Sequence, residues 1–352
     1  MQGLQLGLQA GISKQFRFAC WLRKTARGGP FLTKASLCAG VFEERKRKCF
    51  RLQEALQGPE GRRVGTTMKA QIREALKSCW RGTMDLLPAK WHVAVDHLRF
   101  HGRLPDLRNP KTLNEKIAHR KLYERDPRMP ALVDKIAVKE TMAARYGAEF
   151  VIPTLATFAS EQEIDFAALP YPCVVKANHG SSMNLFLFER PKDEDAARSQ
   201  LRGYLHFDYY AVREEWAYSL VPRRLLVEPF IDGGEHGLVD YKFHTFSGRV
   251  YAIEVITDRY TTHTGGMFDS DWNEIDCQLG TPKAEFSIPR PKQLKAMTRH
   301  AEEIGAEFSY VRIDFYEIDG KMKFGELTFY PGGGVDVVTP PEYDAIFGAQ
   351  WV

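Results

Sequence analysis

Chemistry in this chain has to come from lysines and carboxylates set among strand-like residues. No GxSxG, HExxH or GxxxxGK[ST] run occurs, and the ten histidines keep no metal-ligand spacing. Four segments carry candidate groups. In residues 171–188 an apolar run ends in Lys176 and is followed by Asn178, His179, Gly180, Ser181, Ser182 and Met183. Backbone N–H groups and hydroxyls of such a loop can face phosphate oxygens, and a lysine at the strand end can reach them. A plain hairpin turn with a snorkelling lysine reads equally from these residues. His179, alone in a loop, reads as a hydrogen-bonding residue more readily than as a catalyst.

The second segment, 225–231, is an apolar strand carrying Glu228 and ending at Ile231, with Glu235, Asp240 and Lys242 following. A carboxylate beside an apolar strand suits a base slot with ribose hydroxyls nearby, although glutamate at a strand end is common. The third is Val311-Arg312-Ile313-Asp314, where period two puts Arg312 and Asp314 on one face. It reads as an internal ion pair or as part of a site. The fourth is 324–334, with Glu326 and Thr328 on one strand face before a Pro-Gly-Gly-Gly run. Asp314 and Glu326, brought together on paired strands, repel unless protonated or bridged by a cation. Hard oxygen donors suit Mg²⁺.

These residues need elements to hold them. Periodicity predicts helices over 69–80, 89–100, 111–124, 131–146, 192–206 and 291–305. Strands are predicted over 150–152, 172–177, 184–188, 225–231, 240–246, 249–256, 310–317 and 321–329, the last two a hairpin turned at 318–320. The class is α+β. The chain has 352 residues and a net charge of +4. The basic excess lies in residues 1–67, which lack periodicity and read as a disordered leader or as sequence upstream of a start at Met68. The rest is mildly acidic, which argues against bulk nucleic-acid binding. No apolar run is long enough for a membrane helix. The six cysteines match no zinc pattern and read as reduced thiols of a cytoplasmic protein.

The order of the segments resembles the ATP-grasp superfamily, and more closely its TupA-like branch, named for teichuronopeptide biosynthesis. The resemblance is carried by 134–139 (DKIAVK), 169–184, 227–231, 240–248, Asp258-Arg259, Phe268-Asp269, Trp272-Asn273, 311–314 and 324–332. It covers about residues 90–350. It implies two α+β lobes clasping ATP, with a small helical N-terminal region over 68–133, a first lobe over 134–235 and a second over 236–352. Residue by residue it implies that Lys139 and Lys176 hold nucleotide phosphates under the loop 180–183. Glu228 and Ile231 would form the adenine hinge, and Asp240 or Glu235 would meet the ribose. Lys242 and Arg259 would face the transferring phosphoryl group, and Asp314 and Glu326 would hold Mg²⁺. Many ATP-grasp enzymes carry Glu-x-Asn where this chain has Glu326-Leu327-Thr328, which leaves the number of metal ions open.

The implied reaction is ATP-dependent ligation of a carboxylate to an amine through an acyl phosphate, in cell-surface polysaccharide or glycopeptide assembly beside membrane-associated machinery. The alternatives are a kinase on a sugar or peptide, a nucleotide-sugar glycosyltransferase as family labels suggest, and a nucleotide-binding scaffold. The acceptor pocket falls to the least motif-like stretches, such as 203–222 and 260–285.

Overall fold

The computed structural model describes residues 88–234, 237–257 and 263–352. The expected leader and the expected helix over 69–80 lie outside them. The chain divides into two units at residue 103. In the first unit the described part is helix α1 (Ala89–His101), which ends where Gly102 turns left-handed at φ 73.

The second unit holds two antiparallel sheets. The smaller has the order β1-β4-β2-β3, from strands β1 (Ala156–Phe158), β2 (Cys173–Ala177), β3 (Asn184–Leu187) and β4 (Leu225–Pro229). The larger has the order β11-β10-β5-β6-β7-β8. Its strands are β5 (Asp240–Phe246), β6 (Arg249–Thr257), β7 (Thr264–Phe268), β8 (Glu274–Ile275), β10 (Tyr310–Ile318) and β11 (Lys321–Thr328). Short β9 (Gln278–Leu279) and β12 (Val338–Thr339) pair separately.

Alternation along the strands gives each sheet one core face and one polar face. In the small sheet Cys173, Val175, Ala177, Leu225 and Val227 join Leu201 and Leu205 of helix α5 (Glu194–His206) in one core. Lys176 and Glu228 therefore point the other way. In the large sheet Phe243, Ile253, Val255, Ile313 and Phe315 pack on Leu294, Met297 and Ala301 of α7 (Leu294–Gly305). The opposite face carries Asp240, Lys242, His244, Glu254, Arg312, Asp314, Glu326 and Thr328, aligned by the registers Lys242↔Glu254, Lys242↔Asp314 and Asp314↔Glu326.

The hairpin is where the sequence places it, and Asp319 (φ 51) and Gly320 (φ 71) form its two-residue turn. A bulge falls at Gly325, because Asp314 pairs with Glu326 while Phe315 pairs with Phe324. A Cβ at Gly325 would lie 3.0 Å from the Asp314 carbonyl oxygen, so the bulge requires glycine.

Several expectations are corrected. The helix predicted over 131–146 is two, α3 (Met129–Val133) and α4 (Ala137–Tyr146). Asp134 breaks it: its Oδ1 accepts the Ile136 N–H at 2.8 Å and the Asn178 side-chain amide at 2.9 Å. The strand predicted over 150–152 is a short 3-10 turn, Ala148–Phe150, with a single bridge from Val151 to Phe324. Helix α2 (Leu113–Tyr123) opens with a full capping box of Thr112 and Glu115, and its Leu113 and Ile117 join the large core. Strands β1 and β7, short helix α6 (Tyr209–Arg213) and helix α8 (Glu342–Gln350) were not expected from periodicity.

Candidate active site

Two charge clusters face the space between the sheets. In the first, Glu228 of β4 is held between two lysines. Lys139 of α4 donates to Oε1 and Lys176 of β2 donates to Oε2, each at 2.5 Å. Lys139 also reaches Thr154 Oγ1 at 3.2 Å. Burial alone would raise the Glu228 pKa, but Lys176 and Lys139 overcome it and bring it down to about 2. Burial pulls the Lys139 pKa below its ordinary value, with Glu228 opposing and Lys176 and Lys135 adding to the fall. Lys176 and Glu228, with Asn184, line one side of a cavity whose other walls are Val174, Phe186, Phe230, Ile231, Leu238 and Tyr316. One side of it is therefore charged and the other apolar and aromatic, with residues from both sheets, a division suited to a flat heterocycle carrying polar groups.

The loop after Lys176 is fixed from below. Buried Asn178 donates to Asp134 and to the Pro222 carbonyl, and its Oδ1 accepts from Arg224 N–H at 2.8 Å. His179 is buried, with Nε2 3.2 Å from the Phe207 carbonyl and Nδ1 3.4 Å from Asn178 Oδ1. Its ring is thus occupied in holding the loop. Ser181 and Ser182 are exposed at the tip, where Ser182 takes φ 62. Gly180 lies under the Tyr209 ring: a Cβ there would come within 2.6 Å of Tyr209 Cδ2.

The second cluster sits on the polar face of the large sheet. Arg312 grips Asp314 with two bonds of 2.7 Å, and the same Nη2 lies 3.1 Å from Thr328 Oγ1 and 3.4 Å from Glu326 Oε1. Lys242 donates to Asp314 Oδ2 at 2.7 Å and lies 3.6 Å from Asp240. Lys135 donates to Glu326 Oε2 at 3.0 Å. Burial opposes ionisation of Glu326, but Lys135, Arg312 and Lys242 hold its pKa well below the carboxylate range. Behind them, Glu254 lies 3.7 Å from His244 Nε2, and His244 Nδ1 is 2.9 Å from the Tyr310 hydroxyl.

The expected repulsion between Asp314 and Glu326 is relieved here by a guanidinium. The all-oxygen donor set of Asp314, Glu326 and Thr328 is also the kind that suits a hard divalent cation. Among the described residues no group of three or more His, Cys, Asp or Glu side chains forms a metal cluster. Cys173 and Cys277 are free and buried. Glu235 and Arg259 lie outside the described residues.

Lys135 joins the two clusters. Its backbone N–H donates to the Asn178 carbonyl at the root of the loop, while its side chain reaches Glu326. Neither Lys135, within the run DKIAVK, nor Glu254, the strand partner of Lys242, is marked as a site residue by the sequence.

A model of the TupA-like ATP-grasp family matches residues 115–352. The chain belongs to that family. No curated protein matches this TupA-like chain. Among solved structures, D-alanine–D-alanine ligase from Bacillus anthracis is similar at 19% identity, covering 62% of this chain and 64% of that one, with TM-score 0.37. The enzyme from Helicobacter pylori is 18% identical over 63% and 61%, TM-score 0.35. The ATP-grasp ligase PsnB, complexed with a phosphomimetic variant of its minimal precursor, Mg and ADP, is 14% identical over 64% and 60%, TM-score 0.32. The TupA-like chain spans 53% to 64% of the first of these structures. No helix among the described residues is long and apolar enough to cross a membrane.

Proposed function

We propose that this chain is an ATP-dependent ligase that joins a carboxylate to an amine. The observation that carries the reading is the pair of clusters linked by Lys135. At one end, two lysines share a single buried carboxylate beside an apolar, aromatic slot. At the other, Lys135, Lys242 and Arg312 crowd onto Asp314 and Glu326. A nucleotide fits this order, with its base in the slot, its α- and β-phosphates on Lys139 and Lys176 and its γ-phosphoryl group toward the second cluster.

The chain's own part in the reaction is positioning and charge neutralisation. The loop 178–183 closes over the phosphates from a root fixed by Asn178 and Asp134. Lys242 and Arg312 stabilise the negative charge that spreads over the transferring group. Asp314, Glu326 and Thr328 would hold Mg²⁺, which when bound screens the β- and γ-phosphate oxygens. A substrate carboxylate accepts the phosphoryl group, an amine attacks the acyl phosphate, and phosphate leaves. Placement in cell-surface polysaccharide or glycopeptide assembly follows from the branch resemblance alone.

The test is ADP release by the full chain with Mg²⁺·ATP against a panel of uronic acids and amino acids, with hydroxylamine present and product masses recorded. Ligation predicts a hydroxamate and free phosphate. A stable phosphorylated product would make the protein a kinase, and no carboxylate-dependent ADP would remove the reading.

A further inference from the structure

Strands β6, β5, β10 and β11 carry one cross-strand row on the polar face of the large sheet. It runs Glu254, Lys242, Asp314, Glu326, each the register partner of the next. Three carboxylates in one row leave two intervals where a cation can lie between them. In the interval between Asp314 and Glu254 a cation is built into the chain. Lys242 Nζ donates to Asp314 Oδ2 at 2.7 Å and lies 3.6 Å from Asp240 Oδ2. Its side chain is mostly buried, and that of Asp314 almost wholly so.

Asp314 has little left to offer a metal. A carboxylate has about four lone-pair positions. Arg312 Nε takes one on Oδ1, while Arg312 Nη2 and Lys242 Nζ take both on Oδ2, all at 2.7 Å. Among the described residues, that leaves one position, on Oδ1. Glu326 is held more loosely, by Lys135 at 3.0 Å, Thr328 at 3.2 Å and Arg312 at 3.4 Å, and its side chain is 36% exposed. The Thr328 hydroxyl donates to Glu326 and accepts from Arg312 at 3.1 Å, so it keeps one lone pair. Such a set matches one Mg²⁺, which takes one or two carboxylates and completes its shell with phosphate oxygens and water. Two metal ions that share a ligand stand about 3.5–4 Å apart. A second ion on Asp314 Oδ2 would need the place of the Lys242 ammonium. One shared through Glu326 would find only the threonine hydroxyl beside it.

We propose that this site takes one divalent cation per chain, and that the Lys242 ammonium is the fixed cation standing where a second ion would bind. The proposal rests on the nucleotide part of the reading above and not on amide formation. A tethered ammonium cannot dissociate, so the charge on that side of Asp314 does not depend on the supply of free metal. The one exchangeable ion is then the ion that arrives with the nucleotide. Removing the Lys242 side chain would leave Asp314, Asp240 and Glu254 around a space open to a further cation, since buried carboxylates left together without a counter-charge are costly.

The test counts ions. Calorimetry first establishes binding of a non-hydrolysable ATP analogue to the full chain. Mn²⁺ is then titrated in at saturating analogue, and the bound fraction is read from the electron paramagnetic resonance signal of free Mn²⁺. The wild type should hold one Mn²⁺ per bound nucleotide. Lys242→Ala, which removes the ammonium and opens its space, should hold two. Thr328→Asn supplies a carbonyl oxygen but keeps Lys242, and should stay at one. Two ions in the wild type would overturn the proposal. A single ion in Lys242→Ala would deny the lysine its role, and two in Thr328→Asn would make the threonine the limit instead, so either result also overturns it. If Lys242→Ala fails to fold, the counts for the wild type and Thr328→Asn still decide. The hydroxylamine assay separates the two readings. Absent hydroxamate with nucleotide bound removes the ligase and leaves the ion count standing. No binding of the analogue removes the nucleotide reading and this proposal together.

Discussion

The two charge clusters solve opposite problems. On the small sheet, two cations share one carboxylate, Glu228, so positive charge is in surplus. On the large sheet, among the described residues, Lys135, Lys242 and Arg312 meet Asp240, Asp314, Glu326 and Glu254, so that carboxylates outnumber cations. A buried cluster with a charge left over is costly unless something of opposite sign arrives. The first end therefore suits an anion and the second suits a further cation, which is the polarity of a polyphosphate bound with its metal.

The sharpest break would come at Glu326. Glu326→Gln removes the more accessible negative donor, and turnover should fall on the order of 10²–10³-fold. Steady-state rates across Mg²⁺ concentrations check this. Near-normal rates with unchanged Mg²⁺ dependence would deny the second cluster its role.

Next in size is the keystone of the first cluster. Glu228→Gln leaves Lys139 buried without its counter-charge, and unfolding free energy should drop by about 3 kcal/mol. Saturating Mg²⁺·ATP should recover part of the loss. Denaturant titration with and without nucleotide measures both. No loss in the free protein would mean that the surplus is absorbed elsewhere.

The same carboxylate sets an acid limb. Its folded pKa, about 2, lies below the ordinary 4.5. The stabilisation is fully present above pH 4.5 and drains as pH falls toward 2, amounting to about 3 kcal/mol in all. Unfolding curves of the wild type and Glu228→Gln should converge over that window. Parallel curves would remove Glu228 from the linkage.

The smallest effect is expected at Lys176, whose side chain is 26% exposed against 6% for Lys139. Lys176→Met should weaken Mg²⁺-nucleotide binding about tenfold, about 1.4 kcal/mol, with the melting temperature of the free protein nearly unchanged. Calorimetry with a non-hydrolysable analogue decides it. Equal affinities would leave the first cluster a structural ion pair.

Much of this was legible because strands write their faces into the sequence. Period two sufficed to put Arg312 with Asp314, and Glu326 with Thr328, on one face of their strands. What alternation lacks is partnership between distant strands, so Glu254 opposite Lys242 was invisible. The break at Asp134 was hidden by a good helical pattern on both sides, since the Asn178 amide that stabilises it comes from another element. Strand β7 was masked by Gly265 and Gly266, which carry no β signal.

The clamp of Lys139, Glu228 and Lys176 gives the cleft the character of an ion exchanger with a tethered resident. A carboxylate fixed to its own strand competes for the lysines at a high effective concentration, so a lone monovalent anion gains little by entering. An anion with several charges on one chain, anchored beyond by a ring in the Phe186–Phe230–Tyr316 slot, can take both lysines at once. On the proposed reading, this disfavours abundant small anions relative to a nucleotide.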